Sequence, residues 1–275
     1  MRIERYDDVG SFFEHVGSFL AAREAENNLL LGFRTRLVAD PRAFGPVDPY
    51  LAAVLDGGEV AGVAVQTPPF PLVLSTMSGD AAAAVADARR ADPPAGLNAP
   101  VEVGEAFIRR DGRSAEVTLA ERVYEAAEVI PPRPTPGRMR RATTDDRELL
   151  VRWLEDFLVE ALPDAPEQDA GAQVDGRLAD PHGALWLWED DAPVSFAGHG
   201  SPTPTGMRIG PVYTPPELRG RGYASALTAS VTAHVLGSGR RFCFLYTNLA
   251  NPTSNSIYQR IGYRPVLDVN VWRFA

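Results

Sequence analysis

The sequence predicts an α/β chain built from two successive copies of one unit, and three observations carry that reading. A strand-helix-hairpin-strand pattern recurs at a near-constant offset. A proline-rich stretch separates the two copies, and only the second copy has a glycine loop between a strand and a helix.

In the first half, Arg2 to Tyr6 reads as a short strand, and Val9, Phe12, Phe13, Val16, Phe19 and Leu20 follow on helical spacing. The apolar segment containing Leu29, Leu30 and Leu31 leads into a loop. Tyr50 to Leu55 and Val60 to Val65 flank Asp56-Gly57-Gly58-Glu59, two strands joined by an Asp-Gly turn. Leu72 to Met77 reads as a strand and the alanine-rich Asp80 to Arg90 as a helix, with further strands expected at Val101 to Ile108 and Ser114 to Ala120.

Ile130-Pro131-Pro132-Arg133-Pro134-Thr135-Pro136-Gly137 can continue neither a helix nor a central strand, because proline lacks the donor and restricts the residue before it. The expected division is therefore an N-terminal domain over 1–130, a linker over 131–137 and a second domain over 138–275. The pattern then restarts: a strand at Arg138 to Ala142, Thr144 as N-cap, and Leu149, Leu150, Trp153, Leu154, Phe157 and Leu158 on one helical face. Adding 137 to Phe12, Phe13 and Val16 gives Leu149, Leu150 and Trp153, and adding 134 to Asp56, Val60 and Pro68 gives Asp190, Val194 and Pro202. This is the mark of a duplication.

Composition narrows the chemistry. All 27 basic residues are arginine, which excludes lysine Schiff-base chemistry and a Walker-type phosphate loop. Cys243 is the single cysteine, so an internal disulfide and a multi-cysteine zinc site are excluded, no metal is expected, and a reducing cytoplasm fits. A net charge of -9 argues against nucleic acid as a partner. The uncharged stretch from Ala61 to Gly79 is interrupted by Pro68, Pro69 and Pro71, so no membrane span is expected, and no secretory signal is visible at the N-terminus.

Against that acidic background, the segment from Leu218 to Leu267 carries Arg219, Arg221, Arg240, Arg241, Arg260 and Arg264 and no carboxylate. It includes Arg219-Gly220-Arg221-Gly222-Tyr223-Ala224, placed after a strand and before the helical spacing of Leu227, Val231 and Val235. Glycines at the mouth of a helix let several N–H groups approach a phosphate, and the helix dipole adds to the attraction. The first half has Ser78-Gly79-Asp80 at the corresponding place, with no arginine, so only the second half is expected to bind an anion.

These residues resemble the GNAT superfamily of N-acetyltransferases. The family's pyrophosphate-loop pattern is met by Arg219, Gly222 and Ala224, and its second signature by Asn251, Tyr258, Gly262 and Tyr263, with a strand at Arg241 to Thr247 between them. The resemblance covers about residues 136 to 275. It implies two GNAT-like units, each a mixed, mostly antiparallel sheet flanked by helices, the first degenerate and the second catalytic. It also implies acetyl-CoA as co-substrate: backbone groups of Val212, Tyr213 and Thr214 on the pantetheine arm, and N–H groups of Gly220, Arg221, Gly222, Tyr223, Ala224 and Ser225 on the pyrophosphate. Asn251 would bond the cofactor as well as capping a helix whose first residue is Pro252. Tyr258, expected on the face turned away from the Ile257–Ile261 stripe, would protonate the departing thiolate.

The acceptor implied is a primary amine, most simply of a small molecule. No motif fixes the base that deprotonates it; His199 is a candidate, with Glu155, Glu160 and Asp164 as alternatives. Cys243, in Phe242-Cys243-Phe244, reads as a buried structural thiol. Two rivals remain at this level. A dinucleotide-binding enzyme would want an acid about 20 residues beyond the glycines, and none occurs before Asp268. A non-catalytic acyl-CoA-binding module would have no need of Tyr258.

Overall fold

The two halves run through the same ten elements. In the computed structural model, which describes residues 1–162 and 168–275, the first repeat is β1 (Arg2–Tyr6), α1 (Val9–Ala22), α2 (Asn28–Ala39), β2 (Tyr50–Asp56), β3 (Glu59–Gln66), β4 (Leu72–Leu74), α3 (Gly79–Ala88), β5 (Gly96–Pro100), α4 (Val101–Asp111) and β6 (Ala115–Ala126). The second is β7 (Arg138–Arg141), α5 (Arg147–Ala161), α6 (Ala170–Ala179), β8 (Ala184–Asp190), β9 (Ala192–Gly200), β10 (Gly206–Tyr213), α7 (Tyr223–Gly237), β11 (Phe242–Asn248), α8 (Pro252–Arg260) and β12 (Arg264–Phe274). The offsets read from sequence thus join equivalent elements: α1 with α5, and the β2–β3 hairpin with β8–β9.

Two expectations are corrected. Residues 101–108 form the helix α4, because Val103, Ala106 and Phe107 bury at helical spacing, and the strand before it is Gly96–Pro100. Gly104 belongs to that helix because a Cβ there would lie 2.1 Å from the Trp272 ring. The segment around Leu30 and Leu31 is likewise a helix, α2, whose weak amphipathicity hid it from a periodicity reading.

The compact units do not follow the linear halves. One comprises Met1–Arg122 with Leu267–Ala275, the other Val123–Val266, so the breaks fall inside β6 and β12 and residues 131–137 lie within the second unit. In the first unit the strands run β1-β2-β3-β4-β5-β12, with β4 and β5 parallel and β12 antiparallel to β5. One core cluster joins the sheet to α3 and α4, and another joins it to α1 and α2.

In the second unit the order is β6-β11-β10-β9-β8-β7, and β10 with β11 is again a parallel pair. Strand alternation assigns the two faces. Trp186, Trp188, Ala197, Met207 and Ile209 pack with α7, whereas Leu185, Leu187, Phe196 and Tyr213 pack with α5 and α6. Both faces of this sheet are therefore buried, and function is left to the strand ends and the connections.

Candidate active site

The pairing of β10 with β11 covers only Gly206↔Phe242, Met207↔Cys243 and Arg208↔Phe244, although the strands continue to Tyr213 and Asn248. On its other edge β10 pairs with β9 through Val212↔Ala197 and Tyr213↔Phe196, with a register shift between Ile209 and Val212. That bulge re-aims the second half of β10. Beyond Arg208 its backbone is not laddered to β11, which leaves the β11-facing groups near Val212 to Thr214 available for another partner. Two carbonyls at the strand end are already committed: Ser195 Oγ donates to Tyr213 O at 2.9 Å, and Arg219 Nε to Thr214 O at 2.9 Å.

A turn of 3-10 helix at Pro216–Leu218 carries the chain into the glycine loop. Gly220 and Gly222 have φ of 79° and 91°, the left-handed region that glycine adopts without steric cost. Gly222 is the N-cap of α7 but has no side chain with which to cap it, and the first turn carries no acid. The N–H groups at the head of this 15-residue helix are thus left to an external acceptor. The space beside Gly220 is open, whereas a Cβ on Gly222 would lie 2.9 Å from Thr135 Oγ1. The glycine at 222 is therefore required by the proline segment packed beside it as well as by its own backbone angle.

The arginines of the loop face different partners. Arg219 also bonds Glu160 Oε2 at 2.6 Å, which ties the loop to the C-terminal turn of α5, and its guanidinium lies 5.7 Å from the Tyr213 ring centroid. Arg221 is exposed, donates to the carbonyl of Glu217 at 3.3 Å and lies beside the Tyr223 hydroxyl. The Tyr223 hydroxyl donates to Asp190 Oδ2 at 2.6 Å, and this clamps the helix head to the β8–β9 turn. Ala224 and Ser225 follow in the first turn of α7.

The second signature folds as its local chemistry dictates. Asn251 Oδ1 accepts from Ser254 N at 3.0 Å, capping α8 ahead of Pro252. Tyr258 does not face away from the core: it is 8% exposed and sits with Ile261 in the cluster under α7. Tyr258 is the buried residue of this nine-residue helix and Ile261, its C-cap three positions on, is buried beside it, while Ile257 is only half-buried. Burial pushes the phenol up to about 12.

Four tyrosines belong to that cluster, and three of them spend their hydroxyls on protein partners. Tyr263 shares a 2.7 Å bond with Thr232 Oγ1, Tyr124 donates to Asn255 Oδ1 at 3.0 Å, and Tyr223 is held by Asp190. The Tyr258 hydroxyl bonds to no described residue, and it is not among the buried side-chain oxygens sealed without a partner.

His199 lies elsewhere. Its ring stacks 6.1 Å from Trp186 and lies tilted 6.2 Å from His234, which is in the last turn of α7, at the opposite end of that helix from the glycine loop. Trp186 Nε1 donates to His199 Nδ1 at 3.0 Å, so the lone pair a base would use is occupied. Burial, with the nearby His234 and Arg141, lowers its pKa to about 4. Of the alternative bases, Glu160 is ion-paired with Arg219, Glu155 is exposed, and Asp164 lies outside the described residues. Sequence reasoning missed Ser195, Thr135 and Asp190, which act on the site only through contacts distant in the chain. It also missed Asp156, whose carboxylate accepts from the Tyr213 hydroxyl at 3.3 Å. Among the described residues there is no cluster of three or more His, Cys, Asp or Glu side chains that could hold a metal ion.

Residues 199–273 match the family model described as FR47-like protein. A search of curated proteins finds no sequence match. Among solved structures, a GNAT-family acetyltransferase from Colwellia psychrerythraea aligns over 100% of both chains with a TM-score of 0.58 and 11% identity. A Drosophila protein aligns over 99% of this chain and 98% of its own, with a TM-score of 0.68 and 12% identity. A tandem GNAT protein from the clavulanic acid biosynthesis pathway aligns over 98% of each chain, with a TM-score of 0.61 and 14% identity. At these identities the likeness is one of fold, and with the FR47-like match it supports one conclusion: the chain has the fold of the GNAT-superfamily acetyltransferases.

Proposed function

We propose that the second repeat is an acetyl-CoA-dependent N-acetyltransferase that acts on a primary amine, and that the first repeat is a degenerate copy without a cofactor site. The observation that carries this is the head of α7, a helix start without a side-chain cap or an acid and preceded by two left-handed glycines, set beside the unladdered end of β10. Such a site suits an extended ligand with an anionic head. In this reading N–H groups from Gly220 to Ser225 hold the pyrophosphate, and backbone groups of Val212 to Thr214 line the pantetheine arm. Asn251 bonds the cofactor through a group not used in capping.

Acetyl-CoA supplies the thioester. A neutral amine attacks the acetyl carbon, the C–N bond forms and the C–S bond breaks, the proton of Tyr258 goes to the leaving sulfur, and the proton lost by the attacking nitrogen passes to solvent, from which the Tyr258 phenolate is reprotonated. The uncommitted hydroxyl of Tyr258 supports that role. A phenol whose pKa is raised to about 12 stays protonated at neutral pH, as a proton donor must. The placement of His199 does not support the base role, and a small amine that reaches the site already neutral needs no protein base.

The test is release of free thiol from acetyl-CoA across a panel of small amines, together with calorimetric binding. Binding of one acetyl-CoA per chain, with thiol release on at least one amine, is expected. Binding without turnover on any amine would favour a non-catalytic acyl-CoA-binding module. Two equivalents bound would contradict the degenerate first repeat.

A further inference from the structure

A second polar site lies in the first unit, away from the glycine loop, where β2 begins, β3 ends and α3 terminates. Tyr50 opens β2 and pairs in register with Gln66, the last residue of β3. Two guanidinium groups pack on its ring: Arg5 Cζ is 4.6 Å from the ring centroid and Arg89 Cζ is 4.4 Å from it. Arg89, the C-cap of α3, is 6% exposed. Its Nη2 donates to Gln66 Oε1 at 2.9 Å and meets Asp92 Oδ2 at 3.1 Å. Two donors in this group have no partner although both are sealed from solvent, Arg89 Nε–H and the Tyr50 hydroxyl.

An unmatched buried donor costs on the order of 1–3 kcal/mol, and more when it belongs to a charged group. The charges around Tyr50 are Arg5, Arg89 and Asp92, a net excess of one cation, and the Asp92 side chain is 88% exposed. A buried guanidinium whose carboxylate is mostly in water is under-compensated. Bridging water would satisfy the two donors but would leave that charge uncompensated.

We propose that Tyr50 and Arg89 bind a small monoatomic anion, of which chloride is the simplest, with Arg5 adding a second positive charge at the Tyr50 ring. The ligand class follows from the donors. Nη2 is already occupied, so Arg89 cannot offer the two-pronged edge that a carboxylate or phosphate prefers, and a halide needs only one hydrogen bond from each donor. At the corresponding end of the second sheet, Trp186 Nε1 instead donates to His199 Nδ1.

Crystals of the full chain grown in sodium bromide would report the ion directly, and an anomalous peak within hydrogen-bond distance of Tyr50 Oη and Arg89 Nε is expected. In solution, chloride titrated at constant ionic strength against a bulky organic sulfonate should raise the melting temperature of the wild type. Tyr50→Phe, which keeps the ring and removes the donor, should lose most of that rise. Density without anomalous signal would mean water and would overturn the proposal. So would an equal chloride response in Tyr50→Phe, or a bromide peak with no response in solution, which would be binding at crystal concentration only.

Discussion

The connection from β4 to α3 and the connection from β10 to α7 occupy the same place in the two repeats, and they treat the helix that follows in opposite ways. In the first repeat it is the four residues 75–78, and protein groups cap the helix start, although Thr76 Oγ1 is buried without a partner among the described residues. Ser75 Oγ accepts from Val63 N, Thr76 N donates to Asn27 Oδ1, and Ser78 Oγ accepts from Ala81 N, with Asp80 in the first helical turn. In the second it is the nine residues 214–222, glycine- and arginine-rich, ending at a helix whose start has no side-chain cap. Two repeats with the same element order differ in whether one helix start is capped from within, and the proposed single cofactor site rests on that difference.

Changes at these two connections should break or sharpen the contrast. The largest effect on cofactor binding is expected from Gly222→Val, which forces a β-branched residue into the left-handed region, at about 1–2 kcal/mol, and against Thr135. Calorimetry should show acetyl-CoA affinity at least about tenfold weaker; undiminished affinity would remove the loop from the site. Tyr258→Phe should leave that affinity intact and lower turnover by about a hundredfold or more, the usual contribution of a positioned acid. Equal rates in a stopped assay with any accepted amine would end the proton-donor assignment.

Arg219→Ala removes the bonds to Thr214 O and Glu160 and should weaken cofactor binding several-fold, since a partly exposed guanidinium contributes modestly. In the first repeat, Ser78→Ala should cost about 1 kcal/mol of stability in denaturant unfolding, as the loss of an N-cap does, while acetyl-CoA binding is unchanged. The last effect, on pH dependence, concerns His199. Its folded pKa of about 4 lies below the ordinary value of 6.5, so between those pH values the unfolded chain binds more protons. Stability should therefore rise as pH increases from about 4 to 6.5, and His199→Gln should flatten that part of the melting-temperature profile.

Much of this architecture was legible because it depends on short-range chemistry. The faces of α1 and α5, the turn at Asp56-Gly57-Gly58-Glu59, the Asn251 cap and the glycine loop all follow from spacing or from the backbone preference of single residues. Helix α4 was misread because Val101, Val103 and Ile108 favour strand locally, whereas its burial against Trp272, more than 160 residues away, is a tertiary contact. Tyr258 was placed on the wrong face for a related reason: a nine-residue helix has too few turns for periodicity to fix its buried side.

The sequence by itself determined the duplication, the anion-suited loop in one repeat and the two signatures of the family it resembles, because each is written in residues close together in the chain. Only the tertiary structure decided that the compact units divide within β6 and β12, that Thr135 packs against Gly222, that Trp186 occupies the His199 lone pair, and that one tyrosine hydroxyl of four bonds to no described residue. Those outcomes depend on partners far apart in the chain, and such contacts are chosen by packing and hydrogen-bond satisfaction over the whole unit rather than by local preference.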